Sequence, residues 1–429
     1  MLRKFFKGPS KVTEDRAASP SASYEPSWGV ATESGEYVTV ESSQSIATAY
    51  RAKNIISDSV AIMPLKHYHR VGRATNEVQE DPVTRNLAYL LQVSPNLWGW
   101  TPFQLKKAVI EWLLFYGNGY VWKPPVSPAQ LFVLPADRTR PMFDLQGNLW
   151  YEHYFSSSDK PSYIPSVEIL HLLINPDETG MMGRGVITFA RETFGRRIAA
   201  ANLQGRVFSQ GFMPAAYMKF DGDLSKEMRD KVRSSYEESM SGSANAYRLA
   251  IFDRKVTEYK PIDIHLADAQ FLESISATDD DIALFFGIAG HMLNRGKEAY
   301  NSNVEKWEEF KTLTIDPLVV PWEEAARVRW LSSAEQGSDY FKFKREALYR
   351  MNPKERADMN STKIQSGQLS PNEARAMEEL DPYPLGDEHF MNSGVQPIRM
   401  MMTPPQPQPE PVAVATPDDD EGEPDADDQ

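Results

Sequence analysis

IATAYRAKNIISDSVAIMPL, residues 46–65, decides how the rest of this 429-residue chain is read. Ile46, Ala49, Ile56 and Val60 fall on one stripe at helical spacing, so the stretch predicts an amphipathic helix. Met63-Pro64 breaks it, because proline has no amide to donate. Leu65 to His69 then alternates as a short strand.

Working outward, Thr101-Pro102-Phe103-Gln104 supplies an N-cap, a proline at the first helical position and a Gln that can reach back to the cap. That helix runs through Val109–Phe115 and should stop at Gly117-Asn118-Gly119. Tyr120–Trp122, Gln130–Leu134, Leu149–Phe155 and Ile169–Leu173 read as short strands between Pro, Gly and Asp turns. A long helix follows over Ile187–Gln210, closed by Gly211, with Ala190, Phe194, Ile198 and Ala201 on a ridge of roughly four-residue spacing. Then comes a compact insert: strand Ala215–Phe220, helix Ser225–Met240, strands Arg248–Phe252 and Val256–Tyr259. A second long helix spans about Leu266–Phe286. Ser302-Asn303-Val304-Glu305 caps a third, in which Pro317 and Pro321 should produce a kink. Tyr340–Lys344 alternates as a strand. Asn352-Pro353-Lys354-Glu355 and Ser370-Pro371-Asn372-Glu373 cap two short helices separated by Gly367. No internal repeat is visible.

The composition is that of an ordinary globular protein, 41% hydrophobic and 25% charged. There is no cysteine, which excludes disulfides, thiolate nucleophiles and Cys-based metal sites. MLRKFFKGPSK at the start has cations but no apolar run of signal-peptide length, so no secretory signal is expected; it reads as a basic tail or a docking segment. The most apolar windows, Val109–Trp122 and Ile282–Leu293, are too short to span a bilayer. Of the net charge of −14, nine acidic residues lie between Thr403 and Gln429 with no Lys or Arg, which leaves −5 for everything before them. Affinity for nucleic acid comes from cations displacing phosphate counterions, so this balance argues against a tight grip on DNA.

Several chemistries are missing. No Walker A loop occurs: between Gly290 and Gly296-Lys297 the spacing is one residue too long, and Glu298 follows the lysine. Gly183-x-Gly185 lacks the third glycine of a dinucleotide loop, and no G-x-S-x-G is present. His67-Tyr68-His69 puts two imidazoles on one strand face but offers no nearby third ligand, so exposed histidines are expected there. Asp279-Asp280-Asp281 with Glu305 is the one cluster that could hold two metal ions for phosphodiester cleavage. A metal-dependent DNA-processing enzyme is therefore the rival reading, although consecutive helical residues point about 100° apart.

Six short blocks, in order, resemble one family. They are Arg51-Ala52-Lys53-Asn54-Ile55-Ile56 with Val60-Ala61 and Met63-Pro64-Leu65, then Ser94-Pro95-Asn96 with Tyr116-Gly117-Asn118-Gly119-Tyr120-Val121. Next stand Glu168-Ile169-Leu170-His171 with Gly183-Arg184-Gly185, and Gln270-Phe271-Leu272-Glu273 with Asp281-Ile282-Ala283-Leu284-Phe285-Phe286-Gly287-Ile288. Ser302-Asn303 with Glu305, and Gly367 with Pro371-Asn372-Glu373-Ala374-Arg375, complete the series. Together, over about residues 46–390, they resemble the portal (head–tail connector) proteins of tailed bacteriophages, of the long-tailed type. One departure stands out: Ala289-Gly290 follows Phe286-Gly287-Ile288 where the family often has paired prolines.

The resemblance implies an α+β portal fold assembled as a ring, typically of twelve copies, at one capsid vertex of the virion, with assembly in the host cytoplasm. A polar, Pro-, Ser- and Gly-rich composition predicts a disordered N-terminal segment at 1–35; the resemblance implies a mixed α/β wing at 36–185, a first stem helix at 186–211 and an α+β clip at 212–262. A second stem helix would occupy 263–288, a tunnel loop 289–300, a kinked wing helix and strand 301–351, a helical crown 352–391 and a disordered acidic tail 392–429. Double-stranded DNA would pass through during packaging and ejection without sequence-specific binding. The implied partners are the large terminase, the major capsid or scaffold protein and a head–tail adaptor. No catalytic residue, metal, cofactor or membrane is implied. Candidate tunnel-loop contacts are Met292, Asn294, Arg295 and Lys297. The stem arginines Arg191, Arg196, Arg197 and Arg206 either form salt bridges within or between subunits or face DNA.

Overall fold

The computed structural model describes residues 30–156, 160–209, 215–220, 225–231, 234, 256–262, 269–293, 303–348 and 353–390. Two compact units divide the chain, Met1–Tyr349 and Arg350–Gln429.

The opening stretch becomes the helix Ala47–Ile62, which packs along the helix Pro102–Tyr116. Ala49, Ala52, Ile56 and Val60 are buried on one side of that seam, and Val109, Ile110 and Leu113 on the other. They form the centre of the main core, which Phe194, Ile282, Phe286, Trp322 and Phe343 extend. The second helix starts on the expected capping box: Thr101 and Gln104 each accept a hydrogen bond from the other's backbone amide, with Pro102 at the first position. At Met63 the backbone turns extended, and buried Lys106 donates its Nζ to the Met63 carbonyl. Burial lowers the Lys106 pKa to about 8. The strand Leu65–Val71 then leaves in a fixed direction.

Leu65–Val71 is the centre of an antiparallel sheet, between Asp339–Phe343 and Ala74–Glu77. A second sheet runs Ile169–Leu173, Asn118–Trp122, Phe132–Leu134, and a third Thr139–Phe143, Leu149–His153, Ser162–Pro165. Tyr120, Trp122, Tyr151, Ile164 and Ile169 enclose a smaller aromatic core between these two. The strand Thr139–Phe143 was not legible in the sequence because Pro141 argues against a strand; it is an edge strand, where a missing amide is tolerated.

Other differences have similar local causes. A disordered segment was expected up to residue 35, yet Val30–Ala31 pairs with Tyr37–Val38 in a hairpin on the first long helix. There the Glu33 amide donates to Glu192 and the Asn202 amide group donates to Glu36. The ridge on that helix, Val186–Ser209, is buried at Ala190 and Phe194, half-buried at Ile198 and exposed at Ala201. The break expected at Pro317 and Pro321 occurs only ahead of Pro317, as a π-turn, Lys311–Ile315, between the helices Asn303–Phe310 and Asp316–Trp330; the latter continues through Pro321. Pro317 has no amide for the Leu313 carbonyl, and the wider turn re-registers the ladder just before it.

In the insert, Ala215–Phe220 pairs antiparallel with Val256–Ile262. The strand expected at Arg248–Phe252, most of the helix expected over Ser225–Met240, and both tails lie outside the described residues. In the second unit, the helices Pro353–Gln365 and Pro371–Met377 are joined through Gly367 at φ 72°, the second on the full Ser370/Glu373 capping box.

Candidate functional site

The two long helices, Val186–Ser209 and Ala269–Phe285, lie side by side. Arg197 meets Asp279, while Thr193 shares a shallow cleft with Asp281, Leu284 and Phe285, so the helices run antiparallel. Arg197 Nε donates to Asp279 Oδ1 at 2.9 Å, and the Asp279 side chain is 5% exposed. The acidic run is thus not one cluster. Asp279 is turned into the helix seam and held by a guanidinium, whereas Asp280 and Asp281 are exposed. The side chain of Glu305 lies outside the described residues. No group of three metal-ligating side chains is found among the described residues. The geometry gives the two-metal reading no support, because its first carboxylate is already ion-paired.

The other stem candidates differ from one another. Arg196 is exposed and reaches Thr193 Oγ1 at 3.4 Å. Arg191 is half-buried. Arg206 is on the helix, with its side chain outside the described residues. The second helix ends at Gly287, φ 68°, whose carbonyl accepts from Thr314 Oγ1 in the π-turn at 2.5 Å. Met292 follows, half-buried against the main core rather than projecting from it. Asn294, Arg295 and Lys297 lie outside the described residues.

A polar knot fixes where the first long helix begins. Gly117, φ 76°, ends the helix Pro102–Tyr116, and its carbonyl accepts from the Ile174 amide at 2.9 Å. The next residue, Asn118, is buried, and its amide group is fully used. It donates to the carbonyls of Tyr116 and Gly183 at 2.9 Å each. It accepts from the Gly183 amide at 2.8 Å and from His171 Nε2 at 3.0 Å. His171 Nδ1 in turn lies 3.2 Å from the Tyr151 hydroxyl. One neutral tautomer, protonated on Nε2, satisfies both contacts, with the tyrosine donating to Nδ1. In the sequence this site is marked only by an Asn between two glycines, just past a helix end.

Burial depresses the His171 pKa to about 3 and that of His153 to about 4. An unfolded histidine titrates near 6.5, so as pH falls from about 6.5 toward these values the unfolded chain takes up protons that the folded chain refuses. Stability present above pH about 6.5 is therefore lost on acidification, by a few kcal/mol in total. The thermal midpoint should decline steadily below pH about 6, and less so in His171→Gln. A flat profile from neutral pH to pH about 4 would contradict this.

The paired strand histidines were expected to be exposed. Instead both hold one carboxylate: His67 Nε2 is 2.9 Å from Asp339 Oδ2, and His69 Nδ1 is 2.5 Å from Oδ1. His67 also stacks on Phe341 at 4.7 Å. The carboxylate comes from a strand some 270 residues away, which no local pattern reveals.

A family model described as phage portal protein matches residues 47–379. The chain belongs to the phage portal protein family. It is 25% identical over 410 residues to a probable portal protein of Streptomyces phage phiC31, covering 89% of this chain and 85% of that one. Over 359 residues it is 26% identical to the portal protein of Enterobacteria phage HK97, covering 82% and 83%. Among solved structures, an HK97 family phage portal protein from Corynebacterium diphtheriae aligns with a TM-score of 0.53 at 17% identity, over 73% of this chain and 98% of that one. A chain from the virion of a native gene transfer agent particle aligns with a TM-score of 0.52 at 22% identity, over 83% and 97%. These likenesses show a shared fold. The α+β portal fold expected from the sequence is thereby established, and the function is that of a phage portal protein. Two sequence blocks of the portal resemblance, Tyr116–Val121 and Gly183–Gly185, turn out to be the two halves of the polar knot.

Proposed function

We propose that this chain is the subunit of a closed ring at one capsid vertex, through which double-stranded DNA is packaged and later ejected. The observation that carries this reading is a portal family match that spans residues 47–379, from the first core helix past the last capped one. The neck of a native gene transfer agent particle, resolved with C12 symmetry, contains a chain of the same fold, which favours twelve copies here. A ring closes through a head-to-tail contact between two different faces of one subunit. Phe189, Leu284 and Phe285, exposed on the paired long helices, are of the right character for one such face.

On this reading the long helices are the stem, 212–262 is the clip that meets the terminase motor and then the adaptor, and 289–300 is the tunnel loop. The region 36–185 with 301–351 is the wing, and 352–391 is the crown. Met292, Asn294, Arg295 and Lys297 are the candidates for touching DNA; Arg197, engaged with Asp279, builds the stem. Arg191, Arg196 and Arg206 serve subunit contacts or the channel wall. The subunit performs no catalysis itself; ATP hydrolysis belongs to the motor. A wall with few cations lets the duplex slide, since each additional phosphate contact would add to a grip.

Electron microscopy of the purified full chain is the test. Closed rings with a central hole wide enough for a duplex are expected. A protein that stays monomeric at every concentration, and is also missing from mature particles, would end the reading.

A further inference from the structure

The sheet made by Asp339–Phe343, Leu65–Val71 and Ala74–Glu77 has two unlike faces. Leu65, His67, Phe341 and Phe343 turn inward. Alternate residues turn outward: Lys66, Tyr68 and Arg70 on one strand, and Tyr340, Lys342 and Lys344 along the neighbouring one. Register places Lys342 opposite Lys66 and Tyr340 opposite Tyr68. The two tyrosine rings stack at 5.4 Å, with an angle of 22° between them, and the Arg70 guanidinium lies 5.6 Å from the Tyr340 ring centre. Glu77 pairs with Lys66 and lies 4.0 Å from Lys344, so one carboxylate is shared by two cations. Arg70, Lys342 and Lys344 are exposed. In a chain of net charge −14, this face gathers four cations with no aliphatic side chain among these outward positions on the two neighbouring strands.

We propose that this outward sheet face is a phosphate-backbone contact for duplex DNA, separate from the two long helices. The proposal rests on the reading that DNA passes this protein. Lys342 and Lys344, two residues apart, are spaced about 6.6 Å, and Lys66 and Arg70, four apart and so about 13 Å, lie on the neighbouring strand with Lys66 opposite Lys342, so several phosphates can be met together. Stacking holds the tyrosines in place, and their hydroxyls can donate to phosphate oxygens without reading sequence. Three of the four cations are lysines, Lys66, Lys342 and Lys344, a residue type depleted at protein–protein interfaces. So few contacts give weak, salt-sensitive binding rather than a clamp.

The test is titration of the full-length protein with a short labelled duplex between about 50 and 200 mM salt. Arg70→Glu/Lys342→Glu should weaken binding by about tenfold or more at the low-salt end and make the salt slope shallower by about 2. Arg51→Glu/Lys226→Glu makes the same change in net charge at exposed residues elsewhere and should change binding less than about threefold. Equal losses in both pairs would overturn the proposal, because net charge alone would then explain them. A poly-glutamate peptide that binds this face when the duplex does not would also overturn it, in favour of an acidic protein segment. Images of the same samples separate the two readings. Rings with indifferent binding remove only this proposal, whereas face-dependent binding without rings removes only the portal-ring reading.

Discussion

Gly185→Ala should cost at least about 4 kcal/mol, beyond the usual range for a single change, and lower the thermal midpoint by about 5 °C or more. A Cβ at position 185 would sit 1.9 Å from the carbonyl oxygen of Phe115 and 2.3 Å from its carbon. Both obstacles are backbone, so neither can move aside as a flexible side chain would. Phe115 belongs to the central core helix and is itself buried, packing edge-on against Phe286 at 5.8 Å. Relief of the clash must therefore pull the start of the first long helix away from the core, and the Asn118 knot with it. Gly205→Ala on the same helix is the control. Nothing lies within 4 Å of its added Cβ, so alanine there should be neutral or stabilise by up to about 1 kcal/mol. A Gly185→Ala protein that melts within a degree or two of the parent would show that the approach is not as close as described.

Arg197→Ala should be the next most damaging change, at about 3 kcal/mol or slightly more. It removes the guanidinium from a carboxylate buried in a helix seam, and breaking a buried pair by deleting one member costs far more than the intact pair contributes. The Arg197 side chain is 21% exposed, so some water can reach the gap and the cost falls at the low end of the range for such pairs. Arg197→Met combined with Asp279→Leu should recover most of the loss, because both charges leave together. Thermal unfolding of the two single variants and the double variant measures this directly. If the double variant melts below both singles, the pair is not the isolated unit described. Ring formation in the double variant would further show that the two charges are not needed for subunits to assemble.

Much of the architecture was written locally. Thr101-Pro102-Phe103-Gln104 specified its helix start down to both hydrogen bonds of the cap, and Ser370 with Glu373 did the same. The helix-to-strand change at Met63-Pro64 followed from one missing amide. What stayed hidden depends on residues distant in sequence. Pro141 reads as a strand breaker until pairing with Leu149–His153 on one side only places its strand at a sheet edge. Asp279 reads as one of three equivalent acids until Arg197, 82 residues away, selects it. His67 and His69 read as surface residues until Asp339 arrives between them. A net charge of −14 likewise conceals a basic sheet face, because averaging over the sequence discards which side of a strand each residue occupies.

The sequence by itself determined the main helices, several of the strands and the portal family, because caps, breakers, periodicity and short motifs act within a few residues. Only the tertiary structure decided which acid is buried, which histidines share a carboxylate, and that two glycine motifs some 65 residues apart close on one asparagine. Those outcomes depend on burial and on distances of a few ångströms between chain segments, and no local spacing carries that information.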